Sequence, residues 1–191
     1  VREAAIERIS CHVPLAAHLD AIVILGLIRG ITPEGQTHEQ SMAYLVEAIQ
    51  RCAAAAEGTD VRFALEPMNR YETDLIHTAA DGLDLVEKVG FDNFGLLLDT
   101  FHMNIEEPDI LESIRTCGDR IFHFHVADSN RWHPGAGHLD CRSILEELDG
   151  NGYQGFVSGE FMPLPDADTA AERGIAHLTK ICASSTQKEQ P

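Results

Sequence analysis

Basic residues are scarce in this 191-residue sequence: 14 Lys+Arg stand against 31 Asp+Glu, a formal charge of −17. A phosphate backbone is gripped mainly by Lys and Arg, so generic nucleic-acid binding is the first class to go. Long apolar runs are missing too. The longest, such as 21–28, fall far short of the ~20 residues of a membrane-spanning helix. The first residues lack the basic-then-apolar pattern of a secretory leader, and the chain reads as cytoplasmic. Five cysteines (Cys11, Cys52, Cys117, Cys141, Cys182) are odd in number, scattered and without a CxxC pair, which reads as reduced, mostly buried thiols. No GxGxxG or P-loop sequence occurs, so nothing marks a dinucleotide or nucleoside triphosphate site.

What is present is a repeat of strand-length apolar runs and longer segments with a helical stripe. Helical pattern covers Arg2 to about His18. The run 21–27 is apolar on both faces, as buried parallel strands are. A helix follows Thr37, which with Gln40 suggests a capping box, and stops near Gly58. Further strands are expected at Val61–Glu66, Phe94–Asp99, Ile121–Val126 and Phe156–Glu160. Helices are expected at Thr78–Val89, from Pro108, from Asp140 to Gly150 and from Asp168 to Cys182. No Gly/Ser/Pro-rich linker divides the series, which predicts one α/β domain over residues 1–183 and a polar, disordered tail over 184–191. A doubly wound sheet and a (β/α)₈ barrel both suit such a repeat.

The last four strands each end in a side chain that an apolar run should not hold: Glu66, Asp99, His125 and Glu160, spaced by 33, 26 and 35 residues. Each spacing is close to one βα unit. In a parallel barrel these positions share the C-terminal rim, where three carboxylates would repel one another without a cation among them. With the imidazole they make an O₃N donor set suited to a hard or borderline divalent ion, Mn²⁺ first, with Mg²⁺ or Co²⁺ as alternatives. Taken singly, each has a plainer reading. Asp99 could be only a helix cap, and His123, one alternation below His125, a core histidine.

Four segments carry a family resemblance: Glu66-Pro-Met-Asn-Arg-Tyr-Glu72, Leu98-Asp-Thr-Phe-His-Met-Asn104, His123-Phe-His-Val-Ala-Asp-Ser-Asn-Arg131 and Ser158-Gly-Glu-Phe161. Together they resemble the sugar phosphate isomerase/epimerase (xylose isomerase-like TIM-barrel) superfamily, in its ketose 3-epimerase branch, over about residues 21–178. The resemblance implies metal ligation by Glu66, Asp99, His125 and Glu160, with the two glutamates doubling as acid and base. It implies substrate contacts from Glu72, His102 and Arg131, and a homo-oligomer acting on a small sugar or sugar acid. For Glu72 and Arg131 the alternative is a solvated loop charge, and for His102 a residue that caps or packs against its loop.

Epimerisation beside a carbonyl needs a proton removed from one face and returned on the other; a divalent ion lowers the cost by stabilising the developing enediolate. An aldose–ketose isomerase, a hydroxypyruvate isomerase or an inosose dehydratase could use the same residues. An inactive fragment or a non-catalytic sugar-binding protein is the reading from a different class. Arg29, Arg70 and Arg131 follow strands, either as a positive mouth for a sugar acid, such as a 5-keto-gluconate, or as partners of loop acids. Finally, a closed eight-stranded barrel takes ~250 residues and five strands are visible. The motifs make these the fourth to eighth, so three βα units are expected to be lacking at the N-terminus.

Overall fold

Five runs form one all-parallel sheet in the order β1 (Val23–Leu25), β2 (Phe63–Leu65), β3 (Phe94–Asp99), β4 (Ile121–Val126) and β5 (Val157–Gly159). The computed structural model describes residues 1–186. Each strand is followed by helical structure, as right-handed βαβ crossovers require, and the five strands make an arc of a TIM barrel. Alternation sorts the side chains. Phe63, Leu65, Phe94, Leu96, Leu98 and Phe124 join the large cluster under the helices, while Ala64, Leu97 and Phe122 form a small one on the other face.

The phase of that alternation slips once. Leu96 pairs with Ile121, but Leu97 pairs with His123, so Phe122 is an extra residue in β4, a β-bulge. Gly95 accommodates it: a Cβ there would lie 2.8 Å from both the Arg120 carbonyl oxygen and the Phe122 ring. Beyond the bulge, Asp99 comes into register with His125.

The helices are α1 (Arg2–Ser10), α2 (Val13–Leu19), α3 (His38–Ala55), α4 (Ala79–Val89), α5 (Thr100–Glu106), α6 (Ile110–Cys117), α7 (Cys141–Gly150) and α8 (Ala167–Thr186). The single helix expected over Arg2–His18 is two, because Pro14 opens a new helix rather than continuing the first. Strand β1 is shorter than the expected 21–27 run, since the chain turns at Gly26 into a 3₁₀ turn, Leu27–Arg29. It is also not buried on both faces: Ile24 is 42% exposed, on an edge strand. Thr37 does accept the Gln40 amide, but the Gln40 side chain turns to Tyr44 and the box is not completed. Asp140 caps α7 through Ser143 as expected. Pro108 is not in the first turn of α6, whose cap is Asp109. Helix α8 runs on through Thr186, into the expected tail; the remainder of that tail, 187–191, lies outside the described residues. Cys52, Cys117 and Cys141 are buried and Cys11 and Cys182 exposed. No described helix is long and apolar enough to cross a membrane.

Candidate metal centre

Strand ends supply the four candidate ligands. Glu66 directly follows β2, Asp99 closes β3, His125 lies in β4, and Glu160 directly follows β5. One ligand atom from each lies within 4.8 Å of all the others, a span comparable with twice a metal–oxygen bond of about 2.0–2.6 Å. His125 Nδ1 is 3.4 Å from Glu160 Oε2 and 3.7 Å from Asp99 Oδ2.

Three of these ligands turn a bare atom inward. Glu66 Oε1, Asp99 Oδ2 and His125 Nδ1 are buried and have no hydrogen-bond partner. Buried polar atoms in native proteins are almost always satisfied, so three orphans converging on one point call for a missing partner. All three are lone-pair bearers or can be, which suits a cation, and the O₃N chemistry suits a hard or borderline divalent one. The residues present fit a metal ion.

The electrostatics of the metal-free cluster agree. Burial, then the charges of Asp99 and Glu160, push the Glu66 carboxyl up to about 7. Burial also raises Asp99. Burial alone would lower His125, but Glu160, Asp99 and Glu66 outweigh it and raise it. Glu160, facing the His125 ring at 3.4 Å and near Arg131, is held below the ordinary carboxylate range. Crowding of the three carboxylates thus pushes Glu66 and Asp99 toward their protonated forms and His125 toward its charged one.

The residues expected to touch substrate line the same rim, and two of them, Glu72 and Arg131, are already paired. Arg131 Nη1 lies 3.2 Å from Glu72 Oε1, Arg131 Nη2 lies 3.8 Å from Glu160 Oε2, and the guanidinium stacks 4.7 Å from the Phe101 ring centroid. His102 is buried in α5, and its Nε2 is 3.7 Å from Glu66 Oε1. Burial pushes its imidazolium down to about 4.

A family model described as xylose isomerase-like TIM barrel matches residues 1–181. The chain belongs to the xylose isomerase-like TIM-barrel family. Within the family, D-psicose 3-epimerase of Ruminiclostridium cellulolyticum is 45% identical over 112 residues, 59% of this chain and 38% of that protein. L-ribulose 3-epimerase of Mesorhizobium japonicum is 38% identical over 137 residues, 72% of this chain and 46% of that protein. The crystal structure of D-allulose 3-epimerase from Methylomonas sp. superposes with a TM-score of 0.81 at 27% identity, over 93% of this chain and 69% of that one. The chain therefore spans less than half the length of these two curated relatives. They bear out the ketose 3-epimerase branch to which the motifs point.

Sequence reasoning missed two residues at this rim, Asn69 and Asp128, and gave a third, Arg29, a different partner. Asn69, 2% exposed, bridges Glu72 and His102. Arg29 donates from Nη1 to the Glu66 carbonyl, tying the loop after β1 to the backbone of a candidate ligand. Asp128, fully buried, accepts backbone N–H groups from Ser129, Gly135 and Leu139 and shapes the loop that carries Arg131. Only Asp128 had a local signal, an Asp-Ser-Asn stretch ahead of two glycines, which marks a side-chain-organised turn. The three arginines do not act together as a positive mouth. Arg70 is locked to Glu106 at 2.7 Å and Arg131 lies 3.2 Å from Glu72, while Arg29 donates to a carbonyl and leaves Nε and Nη2 buried without a hydrogen-bond partner.

Proposed function

We propose that this chain carries the metal-holding and proton-transferring part of a ketose 3-epimerase that depends on a divalent ion. Glu66, Asp99, His125 and Glu160 would hold the ion, with Mn²⁺ favoured by the donor set. When bound, it would polarise the substrate's carbonyl oxygen and the neighbouring hydroxyl, which makes the C3 proton acidic enough for a carboxylate to remove. One of Glu66 and Glu160 takes that proton, and the other returns one to the opposite face. The two glutamates follow β2 and β5, separated by two intervening strands, which suits chemistry on two faces of one carbon. Glu72, His102 and Arg131 orient the sugar hydroxyls. A neutral ketose is favoured over a sugar acid, because two of the three rim guanidinium groups, those of Arg70 and Arg131, are already paired with carboxylates.

The observation that carries this reading is the convergence of four ligand atoms within 4.8 Å, three of them buried and bare. The names of the relatives add the reaction class. To test it, the chain is incubated with Mn²⁺ and D-psicose, D-tagatose or 5-keto-L-gluconate in deuterated water. Deuterium should enter at C3 of a ketose, and Glu66→Gln and Glu160→Gln should each abolish that exchange. Undiminished exchange in both variants would sink the two-glutamate mechanism.

A further inference from the structure

His102 has two ring nitrogens in different surroundings, and the structure settles which one bears the proton. Its Nδ1 lies 3.3 Å from the backbone nitrogen of Asn69, in hydrogen-bond geometry. A backbone N–H can only donate, so Nδ1 must be the acceptor and carry a lone pair. The Asn69 side-chain nitrogen is also 2.7 Å from Nδ1. The amide's orientation is fixed from both ends. Its Oδ1 accepts the Tyr71 N–H at 3.0 Å, and its Nδ2 donates to Glu72 Oε1 at 3.0 Å. Flipping it would set a carbonyl against the Glu72 carboxylate and an NH₂ against the Tyr71 N–H, so both contacts would be lost.

Two donors on Nδ1 leave the imidazole neutral, with its proton on Nε2. That Nε2 is buried, has no hydrogen-bond partner, and sits 3.7 Å from the equally bare Glu66 Oε1. We propose that Asn69 is a positioning residue that fixes the His102 tautomer, so that His102 offers Nε2–H as a hydrogen-bond donor to a substrate oxygen bound beside Glu66 and cannot serve as a base. The tautomer assignment stands on the hydrogen bonds alone; only the identity of the acceptor as a sugar oxygen rests on the epimerase reading above.

The consequence is a division of labour along one polar chain. Arg131 holds Glu72, Glu72 holds the Asn69 amide, and the amide holds His102. An oxygen that gains negative charge as the C3 proton leaves would strengthen its bond to a fixed Nε2–H, so the donor acts where charge develops. Both proton transfers then fall to carboxylates, since an imidazole whose only lone pair is taken up by Asn69 has nothing with which to accept a proton beside Glu66.

The test is long-range ¹H–¹⁵N correlation spectroscopy of the imidazoles in the full 191-residue chain, with His102 assigned by the signal lost in His102→Gln. Wild type should show a protonated Nε2 and an unprotonated Nδ1. In Asn69→Asp, a carboxylate in place of the 2.7 Å amide contact should outcompete the longer 3.3 Å backbone donor and draw the proton to Nδ1, whereas Asn69→Ala, which keeps the backbone donor, should hold the Nε2–H form. A wild-type proton on Nδ1 overturns the proposal even if neither variant folds. So does a folded Asn69→Asp that keeps the wild-type pattern. With Mn²⁺ and a ketose substrate, Asn69→Asp should lower kcat by roughly 10²–10³-fold with a much smaller change in KM. Absence of turnover in wild type would count against the epimerase reading, while the spectra would still decide the tautomer.

Discussion

Asp99 and His125 face each other across β3 and β4 as register partners, with Asp99 Oδ2 3.7 Å from His125 Nδ1. The two Asp99 oxygens do different work. Oδ1 accepts the Phe101 amide at 2.7 Å and caps α5, while Oδ2 is bare and turned into the cluster. Cap and candidate ligand, which the sequence presents as alternatives, are the same residue.

That split makes two substitutions separable. Asn is as good an N-cap as Asp, so Asp99→Asn should keep α5 and lose a charged ligand; Ala loses both, at about 1 kcal/mol for the cap. Mn²⁺ affinity, read by calorimetry, should drop more than 10-fold in both variants, by analogy with the roughly 10–100-fold cost of losing even an outer-shell partner. Without metal, Asp99→Asn should melt no lower than wild type, since it removes a buried carboxyl from a crowd of carboxylates. An unchanged affinity in Asp99→Asn would remove Asp99 from the ligand set.

The shifted groups give the metal-free chain a defined response to pH. Glu66, raised to about 7 by burial and by its acidic neighbours, lies above its ordinary 4.5; Asp99 and His125 are raised as well. A group whose folded pKa exceeds its unfolded value contributes stability that is fully present below the unfolded pKa and lost as pH rises through the folded one. Glu160 is shifted the other way, and its window lies below its ordinary 4.5. Stability of the chelator-treated protein should therefore fall between about pH 5 and 8, by on the order of 1–3 kcal/mol, or about 3–10 °C in Tm. Saturating Mn²⁺ should abolish the fall, because the ion takes the place of the protons. A melting temperature that is flat or rises over that range without metal would contradict the charge distribution described here.

Asp128 makes a separate prediction on the far side of the rim. Burial alone would raise its carboxyl, but N–H donors from Gly137, Leu139, Ser129 and Gly135 outweigh it and hold it below the ordinary range. Gly137 approaches so closely that a Cβ would lie 2.2 Å from Asp128 Oδ1. Asp128→Asn turns an NH₂ on one of these donors and should cost about 1–3 kcal/mol, read as a fall in Tm. Because the clasp also seats Arg131, whose backbone nitrogen bonds the Asp128 carbonyl, KM for a ketose should rise more than kcat falls.

Much of this was legible in the sequence, for a reason visible at each position. Glu66, Asp99, His125 and Glu160 stand out because a charged or polar group closing an apolar strand contradicts its surroundings, and one βα unit separates each from the next. Elements whose cause lies off the local chain were not legible. Helix α5 escaped for another reason: Asp99 reads as either cap or ligand, and it is both. The pairing of Arg70 with Glu106 joins residues 36 apart, and no periodicity marks it. Asn69 sits in a loop, and its importance comes from a histidine on the next strand's helix. The bulge at Phe122 is a property of two strands together, so an ideal pairing drawn from either sequence would put Phe124 opposite Asp99.

Gly95 is where that bulge can be challenged. It lies on β3 beside the extra residue of β4, and an added methyl would meet the Arg120 carbonyl oxygen and the Phe122 ring at 2.8 Å. One obstacle is backbone, and the ring is itself held under the Arg62 guanidinium, 4.8 Å from its centroid. Neither can yield cheaply, so Gly95→Ala should destabilise the chain by about 1–3 kcal/mol, as overpacking of a tight interior does. The effect should not stop at stability. If Phe122 is pushed out and the strands slip toward unbulged pairing, Phe124 moves opposite Asp99 and His125 turns to the other face. Gly95→Ala should then lose Mn²⁺ affinity although no ligand is altered, whereas a substitution of similar cost in the helix-side core, such as Val89→Ala, should leave affinity intact. Equal affinities in the two variants at a temperature where both are folded would show that the ligand register does not depend on the bulge.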